Sequence, residues 1–303
     1  MSDLEVLAVV GPTATGKTAL GIEIALRLGG EVVSADSRQV YKGLDIGTGK
    51  ATAEEMRGVP HHLIDVADPK ERFSAADFTR LGRTTLDEIR ARGKVPIIVG
   101  GTGMYIDALL GRLQLNSALP NPALRTRLER LETTELITEL ASRDPERIKT
   151  IDTHNRRRLI RAIEIASSPA ATLDSEHPTP NYSVLWIGLT LPSPQLKEHI
   201  SDRLRARLEA GMLDEAKHLH TAGLSYERMD ELGLEYRYMA RHLQGFLTYE
   251  EMVSVLESEI YKYAKRQMTW FKRNADIKWF DANNPETTLA SLAILAPNLG
   301  WWR

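Results

Sequence analysis

The stretch Leu4-Glu5-Val6-Leu7-Ala8-Val9-Val10-Gly11-Pro12-Thr13-Ala14-Thr15-Gly16-Lys17-Thr18 decides the fold. Its first half is an apolar run that reads as a buried parallel strand. Its second half fits G-x-x-x-x-G-K-[ST]. Beyond it Leu20, Ile24 and Leu28 recur four apart, with Gly21, Glu23 and Arg27 elsewhere on the turn, so a helix starts at or just inside the loop. Gly11 and Gly16 let the backbone bend until successive N–H groups and the helix N-terminus point at an anion. Lys17 adds a mobile positive charge for a terminal phosphate, and the Thr18 hydroxyl can hold Mg²⁺. This loop binds phosphate. The same loop serves kinases, ATPases and transferases, so the fold does not decide the reaction.

A chain of 303 residues with 42% apolar and 26% charged side chains is ordinary for a folded α/β protein, long enough for one domain with a sizeable insertion. With 39 basic against 41 acidic residues no global field advertises nucleic acid, and any such patch is local. The absence of cysteine excludes disulfides, thiolate metal sites and cysteine nucleophiles, and suits a reducing compartment. The acidic start is unlike a presequence, and no apolar run approaches the ~20 residues of a membrane span. A cytoplasmic protein without membrane attachment is expected.

Further strands are expected at Glu31–Ala35, Val95–Val99, Val184–Thr190 and Asp276–Phe280, and a short one entered by His61 and His62. Neighbouring strand residues point to opposite faces, so that histidine pair is no ordinary metal site. In open parallel sheets ligands sit beyond the carboxyl ends of strands. That places Asp36, with Ser37, Arg38 and Gln39, beside the phosphate loop's cargo. Asp36 can take a proton from an attacking group, or it can simply shape the turn. The loop Gly43–Lys50 reads as irregular chain held close to a ligand or as a surface turn. Gly100-Gly101-Thr102-Gly103 brings backbone and one hydroxyl to the same end. No acid follows Val99, where a hydrolysing ATPase usually has its metal-binding Asp, although Asp36 could partly substitute.

Residues 116–181 change texture and read as a helical insertion in a core formed by 1–115 and 182–303. Arg156, Arg157, Arg158 and Arg161 put four arginines in six residues, a solvated face or a phosphate-binding one. Later, Arg203 lies beside a stripe of Ile200, Leu204 and Leu208, able to reach an anion. The segment Tyr263–Arg273 interleaves bases with aromatics, as either a core helix or a nucleic-acid surface does.

Taken together, these residues resemble the tRNA dimethylallyltransferase (tRNA isopentenyltransferase) family, in its bacterial form. The resemblance rests on Gly11–Thr18, Ser34–Tyr41, Asp45–Lys50, His61–Asp65, Pro96–Ile106 and Ala264–Phe271, in order over nearly the whole chain. It implies a P-loop NTPase-like parallel α/β core with a mostly helical insertion serving as a tRNA clamp. It also implies transfer of a dimethylallyl group from dimethylallyl diphosphate to N6 of adenosine 37 in tRNAs that read codons beginning with U. The phosphate loop, Gly11, Pro12, Thr13, Ala14, Thr15, Gly16, Lys17 and Thr18, would then hold a diphosphate leaving group, with Mg²⁺ on Thr18.

Carried over by position, Asp36 resembles the general base, and Thr102 a threonine near the reacting centre. Lys17 and Arg203 resemble the cations that neutralise the diphosphate. Asp36, Ser37, Arg38, Gln39 and Thr102 would meet the adenosine and its neighbours. Arg157, Arg158, Leu159, Ile160, Arg161, Lys265 and Arg266 would contact tRNA at the anticodon stem-loop, and a monomer is expected. The chain departs from the family pattern at Leu232–Arg237 and at Ile260-Tyr261, both expected on the tRNA side. The alternatives are a small-molecule kinase, a transferase acting on free adenine nucleotides, and a nucleic-acid-binding ATPase.

Overall fold

The computed structural model describes residues 5–116, 118, 121–168 and 182–295. Leu4, the proline expected as a break at 120, most of the polar connector around 169–181 and the tail fall outside them. Six strands form one parallel sheet: β1 (Val6–Val10), β2 (Glu31–Ser34), β3 (His61–His62), β4 (Pro96–Gly100), β5 (Val184–Thr190) and β6 (Lys278–Asp281). Their order is β3-β2-β4-β1-β5-β6. The chain winds outward from β1 in one direction and later in the other, so the switch point lies at the carboxyl end of β1, where the phosphate loop begins.

Every residue of β1 and β4 is buried, as a strand covered on both faces requires. The period of two divides β1 between two cores. Val6, Ala8 and Val10 join one cluster with Val33, Ile98, Phe78 and Ile106. Leu7 and Val9 join the other with Ile97, Val99, Leu20 and Ile24. The helix Lys17–Leu28 packs on the second face through Leu20, Gly21, Ile22, Ile24 and Ala25. Gly21, expected off this face, is instead its closest approach, because a Cβ there would overlap the Val99 side chain. On the first face the helix Ala75–Ala91 starts at a capping box between Ser74 and Asp77 and buries Phe78, Leu86 and Ile89.

The chain divides into two compact units, Met1–Arg112 with Asn181–Arg303, and Leu113–Pro180. The smaller unit holds the helices Pro122–Glu129, Thr133–Arg143, Pro145–Ile148 and Arg156–Ala166 around its own core. Leu128, Leu136, Leu140 and Leu159 are fully buried there, each worth ~1.5–3 kcal/mol of transfer free energy.

Candidate active site

The loop geometry follows from its glycines. Gly11 has φ 141° and lies so close to the Leu189 carbonyl that a Cβ would overlap it. Gly16 takes the left-handed conformation at φ 74° to start the helix Lys17–Leu28. Inside the loop the Pro12 carbonyl accepts from Lys17 Nζ at 2.6 Å and from Thr15 Oγ1 at 2.9 Å. Burial, with the like charge of Arg203 and against the pull of Asp36, lowers the Lys17 ammonium to about 7. Arg203, from the helix Ser193–Glu209, donates to Thr13 Oγ1 at 3.4 Å and to the Gly49 carbonyl at 3.2 Å. Burial and the neighbouring Arg207 lower its proton affinity too. Two crowded cations that repel each other make a site that an anion relieves.

Lys17, Thr18, Gly49 and Arg203 line a cavity of about 540 Å³, together with His199 and Asp202. Among the described residues no group of three or more His, Asp or Glu side chains could hold a metal by itself. The Thr18 hydroxyl and the Asp202 carboxylate are nevertheless hard oxygen donors that both line this cavity. That sparse set suits Mg²⁺, which takes few protein ligands and completes its shell with phosphate oxygens and water.

The other half of the site comes from the ends of β2 and β4. Asp36 Oδ1 accepts the Arg38 backbone N–H at 2.8 Å. It therefore shapes a turn, while among the described residues Oδ2 accepts no hydrogen bond. The turn reading of Asp36 holds on Oδ1. The Thr102 Oγ1 accepts from the Ser37 N–H at 3.1 Å, and the Thr102 N–H donates to the Ala35 carbonyl at 3.2 Å. The loops after β2 and β4 are thus tied together. Gly100 permits this, because a Cβ would overlap the Ala35 backbone.

The Gln39 amide is engaged within the protein: Oε1 accepts from the Ser34 hydroxyl at 3.0 Å, and Nε2 donates to the Gly49 carbonyl at 3.3 Å. It braces the loops on this side of the site.

Two site residues had no sequence signal of their own. Gln267, buried in the helix Tyr249–Phe271, accepts the Thr13 N–H at 2.8 Å and donates to the Gly101 carbonyl at 3.0 Å. It joins the phosphate loop to the Thr102 loop. One turn earlier, the Tyr263 phenol bonds Thr102 and is pushed up to about 12 by burial and by the charge of Asp36. Both lay inside the basic-aromatic segment, whose composition drew attention to its charges. Its two readings divide by face: Ala264, Gln267 and Phe271 pack inward, whereas Lys265 and Arg266 are exposed over the rings of Tyr261 and Tyr263.

In the smaller unit the arginine cluster also divides. Arg157 and Arg158 are exposed. Arg156 donates to the Leu131 carbonyl at 2.7 Å, and Arg161 to the Ala118 carbonyl at 2.7 Å and to Glu164. Leu159 and Ile160, expected on the tRNA surface, are buried in the helical core because they fall on the inner face of Arg156–Ala166. Glu235 pairs with Arg207 at 3.2 Å beside the Asp45–Lys50 loop, and Ile260 is core.

The sequence model of one family, described as IPP transferase, matches residues 39–274. A tRNA dimethylallyltransferase of Geotalea uraniireducens is 45% identical over 88% of this chain and 88% of its own. One of Thermomicrobium roseum is 42% identical over 92% of this chain and 87% of its own. Among solved structures, the tRNA isopentenylpyrophosphate transferase of Bacillus halodurans superposes with a TM-score of 0.73 at 38% identity, covering 98% of this chain and 97% of its own. A eukaryotic dimethylallyltransferase acting on tRNA gives 0.83 at 25% identity, covering 98% of this chain and 80% of its own.

Proposed function

We propose, from the premise that this chain belongs to the IPP transferase family, that it transfers a dimethylallyl group from dimethylallyl diphosphate to N6 of adenosine 37 in tRNA. The observation that carries this is the joining of two half-sites at one end of the sheet. The phosphate loop with Lys17 and Arg203 lies beside Asp36 and Thr102, and Gln267 bonds both loops. A kinase reading would leave the exposed bases of both units without a task.

The phosphate loop's N–H groups, Lys17 and Arg203 receive the diphosphate. Thr18, with the help of Asp202, would hold a Mg²⁺ ion, which would further neutralise the leaving group when bound. The N6 nitrogen forms a bond to the allylic C1 as the C1–oxygen bond breaks. The N6 proton passes to Asp36 Oδ2, and diphosphate leaves with the bonding electrons. Cations fixed where that charge develops lower the barrier. Thr102, braced by Ser37 and Tyr263, holds the loop against which the base sits. N6 is reached only in an unstacked adenosine, so Ser37 and Arg38 meet the flipped nucleotide and its neighbours. Arg157, Arg158, Lys265 and Arg266 meet phosphates.

Mass spectrometry of nucleosides tests this, after incubating unmodified tRNA with the enzyme, Mg²⁺ and dimethylallyl diphosphate. A prenyl increment on adenosine 37 is expected. No increment, with ATP consumed in a parallel incubation, would overturn the reading.

A further inference from the structure

A network that the transfer chemistry leaves unused centres on Glu215, in the helix Met212–Thr221. Its carboxylate accepts three successive backbone N–H groups: Asp45 and Ile46 on Oε2 at 2.9 and 2.7 Å, and Gly47 on Oε1 at 2.9 Å. Tyr236, buried, donates its hydroxyl to the same Oε1 at 2.6 Å. Gly47 has no room for a side chain, because a Cβ would sit 2.6 Å from that hydroxyl. Charge-assisted bonds of this kind are about twice as strong as neutral ones, and here four converge on one carboxylate. The loop they grip is otherwise irregular chain.

The far end of the same loop meets the diphosphate site. The Gly49 carbonyl accepts from Arg203 and from Gln39, whose other amide atom is bonded to Ser34. Arg203 forms no ion pair among the described residues, so no carboxylate fixes its guanidinium. Its two hydrogen bonds, to Gly49 and Thr13, are long at 3.2 and 3.4 Å. Whatever sets the Gly49 carbonyl therefore sets Arg203. A Cβ at Gly49 would overlap the guanidinium directly.

We propose that Glu215 is a positioning residue for the diphosphate. By gripping the N–H groups of Asp45, Ile46 and Gly47 it fixes the Gly49 carbonyl, and through it holds an unpaired Arg203 at the phosphate loop. The proposal rests on the reading that this loop takes a diphosphate. It assigns a role to Tyr236 as well, which keeps the Glu215 carboxylate turned to the loop.

The test uses the full chain, inorganic pyrophosphate as the probe and calorimetry as the readout. Glu215→Gln keeps the size but turns an NH₂ group toward backbone donors. It should weaken pyrophosphate binding about tenfold, and Tyr236→Phe, which leaves the carboxylate in place, about threefold. In turnover both should raise KM for dimethylallyl diphosphate and lower kcat, while KM for tRNA stays constant. The decisive measurement is a double-mutant cycle. On an Arg203→Ala background either substitution should change pyrophosphate affinity by less than about twofold.

If both folded variants bind pyrophosphate as the wild type does, or keep their full effect without Arg203, the proposal is overturned. Should Glu215→Gln not fold, the cycle with Tyr236→Phe decides alone. A wild-type enzyme that binds pyrophosphate yet prenylates no tRNA would defeat the transfer reading and leave the clamp standing.

Discussion

The phosphate loop and the helix Arg156–Ala166 both collect positive charge, and they do so in opposite ways. Around Lys17 and Arg203 the cations are crowded together, and their proton affinities fall. On the helix, Arg157 and Arg158 are exposed, while Arg156 and Arg161 are spent on carbonyls that hold the small unit together. The first arrangement costs folding free energy that a ligand recovers, and so it selects a compact, highly charged anion. The second costs little, suits any long polyanion without selecting a compact one, and its attraction is screened by salt.

The comparison breaks first at the reacting centre. Asp36→Ala should lower transfer by about 10²–10⁴-fold with pyrophosphate affinity unchanged, as single-turnover assays and calorimetry would show. A variant close to wild type in rate would remove Asp36 as the base. Arg203→Ala should cost about 10²–10³ in kcat, because it acts on charge that develops in the transition state. An effect confined to KM would instead make Arg203 a ground-state binder.

Protonation sharpens the contrast. Lys17 titrates near 7 in the free protein, and a bound diphosphate draws its proton affinity up, so binding takes up a proton above that pH. Below about pH 7 the lysine is already charged, and its contribution is complete. Between about pH 7 and pH 9 the ratio of wild-type to Lys17→Met affinity for pyrophosphate should fall, by up to tenfold per unit. A flat ratio would mean that Lys17 stays charged throughout. The exposed arginines should show no such dependence.

On the helix the effects are smaller and of another kind. Leu159→Ala should destabilise the small unit by ~2–5 kcal/mol, followed by hydrogen exchange in Arg156–Ala166. Arg158→Ala should leave stability alone, weaken tRNA binding a few-fold and make its salt slope shallower by about one. Equal effects of the two substitutions would erase the distinction between core and surface on this helix.

Much of this was open to reading along the chain. A glycine at φ 141° and a lysine-bearing loop leave a local signature, because the backbone conformation itself demands the residue type. Strand ends place Asp36 and Thr102 at the ligand side of any parallel sheet. Periodicity located the helices. It also misassigned Gly21, because a missing side chain carries no apolar mark although the Val99 side chain fills its place. Ile160 was misjudged for the opposite reason, its neighbours being so strongly charged.

What the chain alone determined, then, are features set by neighbours in sequence: the anion-binding loop, the acid after β2, the hydroxyl after β4 and the helical insertion. Only the tertiary structure decided which distant groups hold them. Gln267 meets Thr13 across 254 residues, and Glu215 grips Asp45 across 170. Neither residue differs locally from any helical glutamine or glutamate. Their roles arise because buried N–H and C=O groups must be satisfied, and which side chain satisfies them is settled only when the sheet brings the two ends of the chain together.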